Sequence, residues 1–241
     1  MKKIWKEKFK VNWEETTLKG NLSLSALNLF LIRAAARHSE HLNFGYSTLS
    51  KENISWVLYR LNIKINRLPL LNENISIITW PRSVSGISAS RDFEMTSDDS
   101  QKILCKATSD WLLINLDSRK PQRMKKFTDS KYLNINKKAI DEIPVEVNKN
   151  CGFKELFLIK TRYSDLDMNG HVIAHKYFSW LQDAIYLLHG DKQPLFIQMN
   201  YFNECDINEE ISIKYCPDDS LNFMGLKLNN GKSAFTSVVT F

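Results

Sequence analysis

Residues 62–81, NIKINRLPLLNENISIITWP, align without a gap on residues 198–217, QMNYFNECDINEEISIKYCP, and six of the twenty positions are identical. The identities include Asn72/Asn208, Glu73/Glu209, Ile75/Ile211 and Pro81/Pro217. In both stretches an extended segment passes through a polar turn into Ile-Ser-Ile with period-two alternation, the pattern of a strand, a turn and a second strand. The chain therefore reads as one unit written twice.

The flanks repeat as well. Before the first stretch, a helix predicted from about Ser25, its candidate N-cap, places Leu27, Phe30, Leu31, Ala34, Ala35 and His38 on one face. Before the second, a helix predicted from near His171 gathers Ile173, Tyr177, Trp180, Leu181, Ala184 and Leu188, and Gly190 stops it. Strands are expected after each unit, at 88–96 and 103–116 and again at 223–228 and 234–241, with Asn230-Gly231 as a hairpin signal. A helix followed by an antiparallel meander, twice over, predicts an α+β protein in which each sheet wraps its helix. We place an N-terminal domain over 1–140, including a linker from about 117, and a C-terminal domain over 150–241.

A composition of 43% hydrophobic and 25% charged residues excludes a disordered chain. No apolar run approaches the roughly 20 residues of a membrane span, and the start, Met1-Lys2-Lys3-Ile4-Trp5-Lys6, lacks a signal-peptide core, so a cytoplasmic protein with no membrane insertion is expected. The four cysteines show neither paired nor zinc-like spacing, which predicts buried thiols without a disulfide framework and no metal. Residues 117–138 hold eight basic side chains against Asp117 and Asp129, and that excess of six equals the net charge of the whole chain. Such a segment is either a solvated linker or a docking patch for an acidic partner, whether nucleic acid, membrane surface or carrier protein.

The copies differ where chemistry would reside. The approach to the second helix reads Asp165-Leu166-Asp167-Met168-Asn169-Gly170-His171, whereas the first reads Thr17-Leu18-Lys19-Gly20-Asn21. In the aligned strands, Glu204-Cys205 stand where the first copy has Leu68-Pro69. Asp167, Asn169, His171 and Glu204 are therefore the candidate catalytic set. A carboxylate that takes a proton from water, an amide that holds water or substrate, and backbone N–H groups that receive an oxyanion suit hydrolysis of an activated acyl group. The set calls for no cofactor. The same residue types also serve as turn and N-cap chemistry. His171 and His175, four apart, have a spacing that metals use, but no carboxylate motif accompanies them.

In these residues the chain resembles the acyl-acyl carrier protein thioesterases of plant plastids and bacteria, which consist of two tandem hotdog domains. The resemblance is carried by Arg162-Tyr163-Ser164-Asp165-Leu166-Asp167-Met168-Asn169-Gly170-His171-Val172 with Lys176-Tyr177. In the first copy it is carried by Trp56-Val57-Leu58-Tyr59-Arg60, Thr79-Trp80-Pro81-Arg82, Ser90-Arg91-Asp92-Phe93 and Ala107-Thr108-Ser109-Asp110-Trp111. It implies release of free fatty acid from a fatty acyl-acyl carrier protein. Glu204 would be the base for the attacking water or a direct nucleophile, Asp167 and Asn169 would hold water and the thioester carbonyl, and His171 would orient a carboxylate or assist the leaving thiolate. Where the family has two asparagines after His-Val, this chain has Ile173-Ala174, which removes a polar contact near the helix start.

The resemblance also implies that the first copy binds the acyl tail, with Leu27, Phe30, Leu31, Val57 and Tyr59 as candidate lining. Arg119, Lys120 and Arg123 of the linker become candidate docking residues for an acidic acyl carrier protein. Cys205, with His171 and Asn169, imitates a cysteine-protease set and is the alternative nucleophile. Rival functions are an acyl-CoA thioesterase, a hotdog dehydratase and a non-catalytic acyl-binding protein. A DNA-binding form of the last would need a helix-turn-helix, which the sequence lacks, so no nucleic acid is expected; a homodimer is left open.

Overall fold

Trp5-Lys6-Glu7-Lys8-Phe9-Lys10 alternates half-buried Trp5, Glu7 and Phe9 with exposed lysines, and it forms a strand that the expected helix-then-meander order did not contain. The computed structural model describes residues 3–124, 133, 136–141, 152–217 and 221–241. The first copy runs β1 (Trp5–Lys10), α1 (Leu24–His41), a short α2 (Tyr46–Leu49), β2 (Ile54–Ile65), β3 (Asn74–Ser85), β4 (Ser88–Ser97) and β5 (Ile103–Asn115). The second runs β6 (Lys154–Lys160), α3 (Ala174–His189), β7 (Phe196–Tyr201), β8 (Glu210–Cys216), β9 (Leu221–Lys227) and β10 (Ser233–Thr240).

Rather than two separate sheets, the strands make one ten-stranded sheet in the order β1-β3-β4-β5-β2-β7-β10-β9-β8-β6. The halves join where β2 pairs antiparallel with β7, and Asn62 faces Gln198 in that register. Those two residues are also the first aligned pair of the repeat, so an approximate two-fold axis passes between them. β2 and β3 are not hydrogen-bonded neighbours: the polar turn between them carries the chain from the centre of the sheet to a strand beside its edge. The repeated turn has a local cause. Asn72 and Asn208 are both left-handed, with φ of 66° and 61°. Glu73 and Glu209 accept hydrogen bonds from the N–H groups of Leu70 and Asp206, at 2.9 and 3.0 Å.

One continuous core holds α1 and α3 against the sheet. Leu27, Phe30, Leu31, Ala34, Ala35 and His38 are buried on α1, and Tyr177, Trp180, Leu181 and Ala184 on α3. The helices also touch across the copies, where Gln182 Oε1 accepts from the Leu24 N–H at 2.7 Å. Both helix starts differ from the expectation. Ser23, not Ser25, caps α1 by accepting from the Ala26 N–H, because the Leu22 N–H bond to Pro69 O, 2.7 Å, sets where the chain turns into the helix. α3 starts at Ala174, which leaves His171 in the loop before it and removes the helical His171–His175 spacing.

The linker divides between the copies. Lys137 pairs with Glu94 at 2.7 Å, Trp80 Nε1 donates to Lys137 O, and Ala139 and Ile140 pack on Trp80. Lys125, Lys126 and Lys131 lie outside the described residues, as do residues 142–149, which separate the expected domains 1–140 and 150–241. Cys105 and Cys205 are buried thiols, but Cys216 is disulfide-bonded. Among the described residues no helix is long and apolar enough to cross a membrane.

Candidate active site

The loop that carries three of the four candidates is a tight turn closed on itself. Leu166 bridges Val172, the Asp167 N–H donates to His171 O at 2.8 Å, and the Gly170 N–H donates to Asp167 O at 3.0 Å. Gly170 takes a φ of +82°, which L residues rarely adopt, so a glycine is needed there although open space surrounds it. Asp165 is tied to α3 by Lys176 at 3.0 Å. The Val172 N–H bond to Cys205 O, 2.9 Å, brings the loop against the segment that carries Glu204.

The first copy has the same loop backbone. Thr16 bridges Leu22, the Thr17 N–H donates to Asn21 O at 2.7 Å, and Gly20 has a φ of +75°. Thr17, Lys19 and Asn21 thus stand where the second copy has Asp167, Asn169 and His171. Loop geometry is shared and chemistry is not.

His171 joins two carboxylates. Its Nε2 lies 3.3 Å from Glu204 Oε2 and its Nδ1 3.0 Å from Asp206 Oδ1. Asp206 was not among the expected residues, although the repeat alignment sets it on Leu70, two columns beyond Glu204/Leu68. The other Glu204 oxygen takes an ion pair from Arg119. A turn closing β5, with the Arg119 N–H on Asn115 O at 2.9 Å and a φ of +55°, presents the guanidinium to the site. Lys120 and Arg123 remain exposed. Behind Glu204, the buried Lys227 ammonium donates to Glu204 O at 2.7 Å and pairs with Glu209 at 2.9 Å. Burial pushes the Glu209 carboxyl up, and Lys227 with the Asp206 N–H and Asn229 more than offsets it, leaving the group below its ordinary range.

Asp167 is occupied by its own loop. Its Oδ1 accepts from the Asn169 and His171 N–H groups at 2.8 and 3.4 Å, and the Asn169 side-chain amide lies 3.4 Å from its Oδ2. Such a carboxylate shapes the turn and orients Asn169. Cys205 is fully buried, and burial pushes its thiol up to about 11, with a Tyr177 hydroxyl contact acting in the opposite direction. A thiol in that state is a poor nucleophile at neutral pH. Among the described residues no cluster of three or more His, Cys, Asp or Glu side chains is arranged to hold a metal ion.

Asp167, Asn169, His171, Arg119 and Glu204 line a cavity of about 400 Å³ whose apolar lining comes from both copies, including Trp56, Val57, Leu58 and Tyr59 of β2, Trp111 of β5 and Tyr177 of α3. Ile32, Ser55, Trp56 and Trp111 also line a second cavity of about 240 Å³, between the end of α1, α2 and the first-copy sheet. Val57 and Tyr59 therefore line the first cavity. Leu27, Phe30 and Leu31 do not: they are 0–1% exposed within the core, and α1 instead turns Ile32, Ala35, Ala36 and Ser39 to the second cavity. An apolar helical stripe packs on the sheet first, so the cavity falls to the smaller, half-polar side of the helix.

The acyl-ACP thioesterase N-terminal domain matches residues 2–132, and the acyl-ACP thioesterase C-terminal domain matches residues 148–234. The chain belongs to the acyl-ACP thioesterase family. It is 27% identical to the oleoyl-acyl carrier protein thioesterase 2 of Arabidopsis thaliana over 89% of this chain and 64% of that relative. It therefore spans just under two thirds of the length of that plant protein. An acyl-ACP thioesterase structure from Bacteroides thetaiotaomicron superposes over 99% of this chain and 98% of that one, with a TM-score of 0.83 and 27% identity. The 12:0-ACP thioesterase of Umbellularia californica shares the fold at a TM-score of 0.80 and 18% identity, over 99% of this chain and 97% of that one. The expected double hotdog fold is the fold of this family member.

Proposed function

We propose that this protein hydrolyses the thioester of a fatty acyl group carried on acyl carrier protein and releases the free fatty acid. The observation that carries the proposal is His171 set between Glu204 and Asp206 on a cavity whose lining is otherwise largely apolar. Glu204 takes a proton from water as the water oxygen attacks the thioester carbonyl carbon. The oxyanion is received by the Asn169 amide and the N–H groups at the start of α3, where Ile173 and Ala174 line the cavity and no side chain caps the helix. Collapse of the tetrahedral species breaks the carbon–sulfur bond, and the leaving thiolate takes the proton back from Glu204 through His171. The acyl tail lies along the β2 and β5 wall toward the second cavity. Exposed Lys120 and Arg123, beside the Arg119 turn, offer the docking face for an acidic carrier.

The test is incubation with a panel of acyl-acyl carrier protein thioesters and the matching acyl-CoA thioesters, with free fatty acid read by chain length. Faster hydrolysis on the carrier protein is expected. Equal or faster turnover of the CoA esters would replace the carrier assignment with the acyl-CoA reading, and tight binding without turnover would replace catalysis itself.

A further inference from the structure

The second cavity has an apolar lining that includes Ala35, Phe44, Leu49, Val84, Ala89 and Trp111, yet Arg91 is on it as well. Arg91 comes from β4 and is 8% exposed. Among the described residues its guanidinium meets a ring nitrogen and two hydroxyls: Nη1 lies 3.0 Å from His38 Nδ1 and 3.2 Å from Thr79 Oγ1, and Nη2 lies 3.2 Å from Ser39 Oγ. Among the described residues no carboxylate pairs with it. Neighbouring Asp92 is committed to the Thr108 hydroxyl, the Ala139 N–H and Arg82. Glu40, the acid on the lining, is exposed and bound to Ser47 at the start of α2. Burial alone draws Arg91 down to about 10, so it stays a cation at neutral pH. A desolvated cation without a counter-charge is costly to keep, and here it borders an open apolar space.

We propose that this cavity binds an alkyl chain ended by a carboxylate, with the carboxylate on the Arg91 guanidinium and the chain on the apolar lining. Two sources carry that chemistry. One is a free fatty acid, the product class of the proposed reaction. The other is the distal carboxylate of a dicarboxylic acyl group whose thioester lies at Glu204, and this source alone rests on the hydrolase reading.

Trp56 and Trp111 line both cavities and report binding by fluorescence, and the Arg91 variants place it. The intact chain is titrated with dodecanoate and with dodecanol, and again after Arg91→Met and Arg91→Lys. Dodecanoate is expected to bind about tenfold tighter or more, and Arg91→Met to erase that preference while Arg91→Lys keeps part of it. Equal binding of acid and alcohol by the unmodified chain overturns the proposal, whether or not the variants fold. So does an acid preference that survives in folded Arg91→Met, which would assign the carboxylate to Arg119. Rates on carrier thioesters of dodecanoic and dodecanedioic acid then separate the sources: a faster dioic ester assigns the distal carboxylate, and equal rates assign the free acid. Failure of both esters with an intact acid preference removes the hydrolase reading and leaves this site standing.

Discussion

Arg119 and Glu204 form an ion pair across the two copies of the repeat, the guanidinium coming from the turn after β5 and the carboxylate from the segment after β7. With His171 on its other oxygen, Glu204 is held at both ends. Arg119→Gln is therefore expected to lower kcat by about tenfold through loss of alignment, with little change in KM for the carrier. Both side chains are more than a third exposed, so a double-mutant cycle on thermal stability is expected to give a coupling under about 1 kcal/mol. The salt dependence of KM should instead fall when Lys120 and Arg123 are neutralised. If Arg119→Gln removes it and the other two do not, Arg119 belongs to docking after all.

The proposed base makes the sharpest kinetic contrast. Glu204→Gln is expected to lose about 10²–10⁴ in kcat, whereas Cys205→Ala keeps its rate within about threefold, because a buried thiol that stays protonated contributes packing rather than chemistry. Fatty acid release by each purified, folded variant decides between carboxylate and thiol. Asp206→Leu, which restores the residue type of the first copy, is expected to cost about tenfold through misorientation of His171.

Ile173 occupies the N-cap of α3 without a side-chain hydrogen bond, while Ser23 occupies the equivalent place in α1 and makes one. Ile173→Asn should supply the missing acceptor and add about 0.5–2 kcal/mol. In a chain of this size that is a rise of roughly 2–4 °C in Tm per kcal/mol. Calorimetry showing no rise would mean that the asparagine side chain points elsewhere.

Glu73 accepts both guanidinium nitrogens of Arg67, at 2.7 and 2.8 Å, and the Leu70 N–H. Hydrogen bonding to Arg67 leads the effects that hold its carboxyl down at about 2, against 4.5 ordinarily, with burial opposing. A depressed carboxyl contributes stability that is present above its unfolded value and is lost as pH falls from about 4.5 through about 2. Glu73→Gln should therefore be less stable than the parent at pH 7, and the difference should shrink through that window. Denaturant unfolding at pH 7, 4 and 2.5 measures it, and a constant difference would assign the effect to packing.

Much of this was legible because the repeat is written in residues with local duties. Asn72 and Asn208 hold left-handed turns, Glu73 and Glu209 bind the N–H three residues back, and the two Ile-Ser-Ile runs face the same core. The candidate site stood out for a related reason: where the repeat matches the two copies, Asp167, Asn169, His171 and Glu204 take the places of Thr17, Lys19, Asn21 and Leu68. β1 escaped because alternating lysines read as charge before they read as a strand, although they suit an outermost strand. Arg119 escaped because its partner is 85 residues away and its neighbours in sequence are solvated cations. No local pattern reports that kind of contact.

The junction of β2 with β7 has a consequence for the history and the engineering of the chain. Because Asn62 faces Gln198, its own counterpart, the register is self-matching. Either half alone would expose a central strand as an open edge, and it could close that edge on a second copy of itself by the same pairing. A homodimeric ancestor would then have carried two identical sites, each lined by both subunits. On the hydrolase reading, fusing such subunits would free one site from catalysis, and Thr17, Lys19 and Asn21 stand where that site would carry the counterparts of Asp167, Asn169 and His171.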